Sequence, residues 1–257
     1  MTAFLTLIER EIRRFLKVAV QTVVTPLISS GLYLLVFGVS LGSQVTKYGE
    51  LSYLAFLVPG LMCMGLINNA FQNSSSSIVT AKFAGDMEDL KAAPITEQQI
   101  LWALGFGAVF RGALVCLITW LVGSVFHWLQ QGEFLHIVHP LLFLFFLVSG
   151  GLIFGLIGIS VAFWARSFDQ LSAFSAFILL PLTYLGGVFI SIELLPPFWQ
   201  KVTLLNPLFY LINGLRYSVL GVADVSAERA AVVCVFGIAI FNGLALWSLR
   251  KGSFHRW

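Results

Sequence analysis

The side chains that could do chemistry in this chain do not have the spacing of a catalytic centre. His136 and His139 form an HxxH pair in a polar loop that also carries His127 and Glu133. A zinc-type site needs four ligands in fixed geometry, the sequence supplies no second cluster, and no metal is expected. Cys63, Cys116 and Cys234 lie far apart inside apolar runs, with no CxxC spacing, so neither a disulfide framework nor a zinc site is indicated. There is no GxxxxGK[ST] phosphate loop, no HExxH, no GxSxG and no carboxylate pair inside an apolar run. The chain is therefore expected not to be an enzyme, to hold no cofactor, and not to hydrolyse ATP by itself. It also lacks the mid-membrane Asp or Glu relay that ion-coupled carriers use.

Two polar patterns remain. The first is NNAFQNSSSS, where Asn68, Gln72 and Ser76 recur at i, i+4, as do Asn69, Asn73 and Ser77. On a helix these residues form a broad polar stripe. Either it glues helices together through amide and hydroxyl hydrogen bonds, or it lines a polar pathway. The second is KFAGDMEDLKAAPITE, Lys82 to Glu97, in which six of sixteen residues are ionisable and the net charge is −2. It interrupts a chain that otherwise reads as built for lipid.

The elements that must position these patterns follow from composition. The 257 residues are 58% hydrophobic and 11% charged, with a mean hydropathy of +0.91, well away from the roughly 25% charged residues of soluble domains. An all-α, multi-pass membrane protein is expected, read as one transmembrane domain over 1–257. The length leaves room for about six crossings of about 20 residues. The formal charge of +3 is too small and scattered for nucleic acid. The first residues, MTAFLTLIEREIRRFLK, lack the short apolar core and cleavage site of a removable signal. Between Phe4 and Lys17 apolar residues recur at helical spacing opposite Glu9, Arg10, Arg13 and Arg14, which predicts an amphipathic interfacial helix within 1–17.

Predicted spans follow at Val18–Thr46, Leu51–Ala81, a third ending at Leu129, Leu141–Ala165, Gln170–Ile192 and Ala230–Leu249. The third run, Ile100 to Leu129, would be about 45 Å long against a hydrocarbon core of about 30 Å. The expected solution lays its first third along the interface, with Arg111 reaching the headgroups; the alternative makes Arg111 a functional buried charge. Gly150, Gly151, Gly155 and Gly158 in the fourth span favour close helix approach. Pro181 and Gly186-Gly187 predict a kink in the fifth. Between 193 and 217, Pro196, Pro197 and Asn206-Pro207 cut a mostly apolar segment into pieces too short to cross, which predicts a re-entrant or interfacial hairpin rich in headgroup-level aromatics.

Six crossings place both termini on one side. With the termini cytoplasmic, Arg10, Arg13, Arg14, Lys17, Lys82, Lys91, Arg166, Arg250, Lys251 and Arg256 lie inside, against Lys47, Lys201, Arg216 and Arg229 outside. That excess predicts cytoplasmic termini.

The amphipathic start, the polar break after the second span and the segment LTYLGGVFISIELLPPFWQKVTLLNPLFYLINGLRY resemble the ABC-2 type permeases, in particular the YadH-type bacterial inner-membrane permeases. The resemblance implies the permease subunit of an ATP-binding cassette exporter in the bacterial inner membrane. Two copies would work with two copies of a separate ATPase that holds ATP and Mg, moving a glycan, lipid or drug. It further implies that Gly85, Asp86, Glu88, Leu90 and Pro94 belong to a cytoplasmic coupling helix seated on the ATPase, aided by Arg10 and Arg13. Asn68, Asn69, Gln72 and Asn73 would line the pathway or a helix interface. Pro196, Pro197, Trp199, Asn206, Pro207 and Arg216 would shape an extracytoplasmic hairpin capping the pathway. The alternatives are a membrane platform that recruits an ATPase without transporting, and an ion-coupled carrier.

Overall fold

The computed structural model describes residues 2–40, 51–87 and 94–251, and all regular structure there is helical. A first helix, α1 (Thr2–Leu16), precedes α2 (Ala19–Tyr33), which is prolonged by wider π turns over Leu34–Ser40. The long helices α3 (Tyr53–Ala84), α4 (Glu97–Gln131) and α5 (Pro140–Trp164) come next. Then follow α6 (Phe168–Leu185), the short α7 (Pro197–Leu205) and α8 (Pro207–Leu220), and finally α9 (Ala227–Lys251). Six of these, α2 to α6 and α9, are long and apolar enough to cross a membrane. They match the six predicted spans.

The six are not equivalent. In their most apolar stretches α3 and α5 are 78% and 72% buried and α4 61%, whereas α2 is 22% and α6 and α9 are each 17% buried. Three helices form the interior and three clad it. Lipid tails are as apolar as leucine, so the interior trio is held by close packing and not by exclusion from water. Glycine supplies the closeness. A Cβ at Gly158 of α5 would stand 2.6 Å from the Phe71 carbonyl oxygen of α3, and at Gly151 2.9 Å from the Val109 Cα of α4. Ser74 uses the same approach to donate to the Gly155 carbonyl at 2.7 Å.

Three local expectations change. The helix through Arg111 does not break into an interfacial third and a crossing: α4 runs unbroken for 35 residues, about 52 Å. It is nucleated by a capping box at Thr96 and Gln99 and ends at Gly132 in a left-handed turn. Its first turns stay in line because Ile100, Leu101 and Leu104 are buried in an apolar cluster with Ile78, Ile159 and Leu249. Second, α3 continues past Ala81 to Ala84, so Lys82 belongs to its last turn and not to the aqueous break. Third, α1 is a helix as predicted, and part of its surface is taken up by the bundle. It packs against α4 along Leu7, Glu11 and Phe15, while Leu5 and Leu16 of the expected apolar face are exposed.

The fifth span is irregular as predicted. Pro181 has no N–H to give, and the turns before it widen to a π-helical stretch at Ser175–Leu179. The helix stops at Gly186, and Gly187 turns the chain with φ 86°. In the 193–217 segment, α7 and α8 span about 14 and 21 Å, both short of a hydrocarbon core of about 30 Å.

If the glycine contacts set the packing, Gly158→Val should lower the stability of the detergent-solubilised chain by about 2 kcal/mol or more. Gly31→Ala, whose Cβ would meet nothing within 4 Å, should be neutral or stabilise by up to about 1 kcal/mol. Thermal unfolding of the two variants checks both.

Candidate functional site

The end of the bundle that carries α1 is built from charges that the fold takes out of water. Glu11 is fully buried, and its carboxylate accepts from Ser77 Oγ at 2.8 Å and from Arg10 and Arg14 at 3.3 Å each. Arg14 reaches further, donating to the Asn73 carbonyl at 2.5 Å, to Asn73 Oδ1 at 3.2 Å and to Ser76 Oγ at 3.1 Å. Room for this knot comes from Gly107 of α4, where a Cβ would stand 2.8 Å from the Glu11 Cβ. The result ties α1 to the polar half of α3.

Eight residues beyond Ser74, Lys82 leaves the water too. Its ammonium donates to the carbonyls of Ala162 at 2.7 Å, Phe163 at 2.8 Å and Ala165 at 3.4 Å. These are the carbonyls at the end of α5, where the helix dipole is negative and acceptors lack partners. Lys82 thus ties the end of α3 to the end of α5. Gly85 follows at φ 87°, with its N–H on Lys82 and that of Asp86 on Ala81. On the far side of the break, Thr96 caps α4 and Glu97 accepts from Arg250 Nε at 2.7 Å. The charged break is therefore clamped at both ends.

Arg10, Arg13 and Asp86 line one open groove of about 590 Å³ between α1 and the end of α3. Gly85 adjoins it and Pro94 lies on the other flank of the break, before α4. Glu88 and Leu90 lie outside the described residues. The predicted stripe divides by direction. Asn73 and Ser77 meet α1, and Ser74 meets α5. Asn68 and Asn69 donate to Met64 and Gly65 in their own helix, and Asn68 Oδ1 also accepts from Ser175 Oγ of α6 at 3.4 Å. Gln72, Ser75 and Ser76 face a separate cavity.

At the opposite end, Pro196 and Pro197 start α7, whose Phe198 and Trp199 are exposed. Asn206 caps α8 by accepting from Leu208 N at 3.0 Å and binds α6 by donating to the Leu182 carbonyl at 2.7 Å; Pro207 is the first residue of α8. Arg216, counted above among charges in outside loops, is wholly buried. Its guanidinium lies 3.9 Å from the ring centre of Phe56, donates to the Gly187 carbonyl at 2.7 Å and stands 3.8 Å from Asp224. Asp224 accepts from Ser191 Oγ at 2.6 Å, and its own N–H donates to Asn213 at 2.9 Å.

The burial of Glu11, of Lys82 and of the Arg216–Asp224 pair escaped the sequence reading. Glu11 alone left a trace, since it sits four residues from both Leu7 and Phe15.

Comparison with known proteins decides the family. A family model described as ABC-2 type transporter matches residues 2–220. The chain belongs to the ABC-2 type transporter family. The inner membrane transport permease YadH of Escherichia coli (strain K12) is 40% identical over 242 residues, covering 93% of this chain and 91% of the relative. Nodulation protein J of Neorhizobium galegae is 27% identical over 243 residues, covering 91% and 88%. Nodulation protein J of Rhizobium meliloti (strain 1021) is 24% identical over 242 residues, with the same coverage. An ABC-2 permease is a membrane subunit and not an enzyme, so its distinctive residues are expected to hold and transmit, not to react.

In this ABC-2 permease Arg216→Met should destabilise by about 3–5 kcal/mol, because it strands Asp224 in the interior. Arg216→Met combined with Asp224→Leu should cost clearly less than the sum of the single changes. A double-mutant cycle on thermal stability measures that coupling.

Proposed function

We propose that the chain is the permease subunit of an ATP-driven exporter, multi-pass in a bacterial inner membrane with both termini cytoplasmic. Two copies work with two copies of a separate ABC ATPase that binds ATP and Mg, and the cargo is a glycan, a lipid or a drug-like amphiphile. The observation that carries this reading is the clamped acidic break beside the α1 groove. With Lys82 on the α5 carbonyls and Glu97 paired to Arg250, the segment is left with Asp86, Glu88 and Asp89 against Lys91. Such a segment is repelled by anionic headgroups and favours a protein surface.

Its clamps give the docking a mechanical consequence. A partner that pushes on the segment pushes on α3 and α5 through Lys82, and on α4 through Thr96, which are the interior helices. The α7–α8 hairpin then forms the extracytoplasmic cap of the pathway, re-entrant because neither piece can cross. Of the α3 stripe, Asn73 is buried against α1, and Asn68, Asn69 and Gln72 are the residues left to face a pathway between the copies.

The ATPase is to be co-purified with the chain and its hydrolysis measured in proteoliposomes. A stable complex with altered hydrolysis is expected. Asp86→Lys with Glu88→Lys should leave insertion intact and weaken ATPase binding by about tenfold or more, about 1.4 kcal/mol. Unchanged binding and unchanged stimulation would contradict the coupling role. A stable complex that never moves lipid or glycan into vesicles would favour a recruiting platform instead.

A further inference from the structure

Between the cladding helices α2 and α6, over the polar half of α3, lies a cavity of about 370 Å³. Two arginines face it, Arg14 and Arg111, together with Gln21, Gln72, Ser75 and Ser172, and no carboxylate lines it among the described residues. Arg14 is already engaged by Glu11, Asn73 and Ser76. Arg111 is not: its Nε is buried with no hydrogen-bond partner among the described residues. It lies about 21 Å along α4 from Glu97 and about 30 Å from the helix's other end at Gln131. A guanidinium held there in a cavity of hydroxyls and amides is missing an anion.

The walls narrow the class of anion. Phe71, Leu171 and Phe168 supply apolar lining beside the polar groups. The flanking helices α2 and α6 are both largely exposed, with α2 packed on α4 and α6 on α3. A ligand with an oxyanion and a hydrocarbon tail fits both, its charge on Arg111 and its tail passing between α2 and α6 toward lipid. We propose that this cavity binds a phosphate-bearing amphiphile, with Arg111 as the principal contact and Arg14 as the second. The proposal goes beyond the exporter reading and stands without it, because binding is read on this chain alone.

The test uses the full chain, delipidated in detergent, titrated with dioctanoyl phosphatidic acid, with the matched dioctanoylglycerol, which lacks the phosphate, and with inorganic phosphate. Thermal shift and native mass spectrometry give the readouts. Phosphatidic acid is expected to bind and stabilise, and Arg111→Gln to weaken it about tenfold, the loss of one charge-assisted hydrogen bond. Arg111→Lys should retain most of the affinity, and Lys201→Gln, an exposed cation at the opposite end, all of it. Without ligand, Arg111→Gln should be at least as stable as the parent, since it removes an unpartnered charge. Ser172→Phe, which fills the cavity from the exposed side of α6, should abolish binding with folding intact. Equal binding by parent and Arg111→Gln would overturn the site, as would undiminished binding by Ser172→Phe. Equal stabilisation by dioctanoylglycerol, or by inorganic phosphate alone, would overturn the phosphate-bearing amphiphile assignment.

Discussion

A charge inside a lipid-embedded bundle must find its counterpart within the protein, because hydrocarbon offers neither ions nor hydrogen bonds. The architecture follows from how this chain meets that constraint, and α3 takes part each time. Glu11 meets Ser77 and its partner Arg14 meets Asn73, both on α3; Lys82 leaves α3 for the last carbonyls of α5; Arg216 of α8 rests on the Phe56 ring of α3. Hydrogen bonds to charged groups contribute about 1.5–3 kcal/mol each. Each of these clasps therefore fixes an element more firmly than the weak lipid-phase packing between apolar faces. With glycine contacts joining α3 to α5 and α5 to α4, α3 becomes the common reference for both ends of the molecule.

That arrangement separates a fixed interior from an adjustable exterior. The helices α2, α6 and α9 bury little of their surface, and α6 contains both a π stretch and Pro181. In a transporter that alternates between states, elements with few buried contacts and irregular hydrogen bonding are the ones that reposition at low cost. The clamped break, by contrast, is attached to the interior. In the proposed exporter, a partner bound there would act on α3, α4 and α5 together.

What the sequence disclosed follows a physical division. Run lengths and proline positions are local, so the six spans, an irregularity of α6 at Pro181 and the two short helices of the hairpin are legible at nearly the right residues, though not that the irregularity takes the form of widened turns. The glycines of α5 were read as sites of close approach, though not which helix each one meets. The charged groups were misjudged because their partners are remote. Lys82 reads as the first residue of a solvated break until its acceptors, backbone carbonyls some 80 residues away, are in place. Backbone acceptors leave no signature in side-chain types. Arg216 reads as a loop charge for the same reason, its supports being the Gly187 backbone carbonyl and a phenyl ring on α3. The length of α4 and the charge of Arg111 point to a break, while its capping box and the apolar partners of its first turns keep it straight.

The central claim is that α1, α3 and the charged break form one mechanical unit against which the outer helices move. Pulsed spin-label distance measurements test it most directly, and the three native cysteines are buried and unbonded, so they should stay unlabelled. Labels at Glu9 and Thr80, exposed on α1 and α3, report the unit, and labels at Val20 and Phe177, exposed on α2 and α6, report the exterior. In the proposed complex with an ABC ATPase, adding ATP should leave the first distance distribution unchanged and shift the second. A shift between Glu9 and Thr80 with none between Val20 and Phe177 would contradict the account.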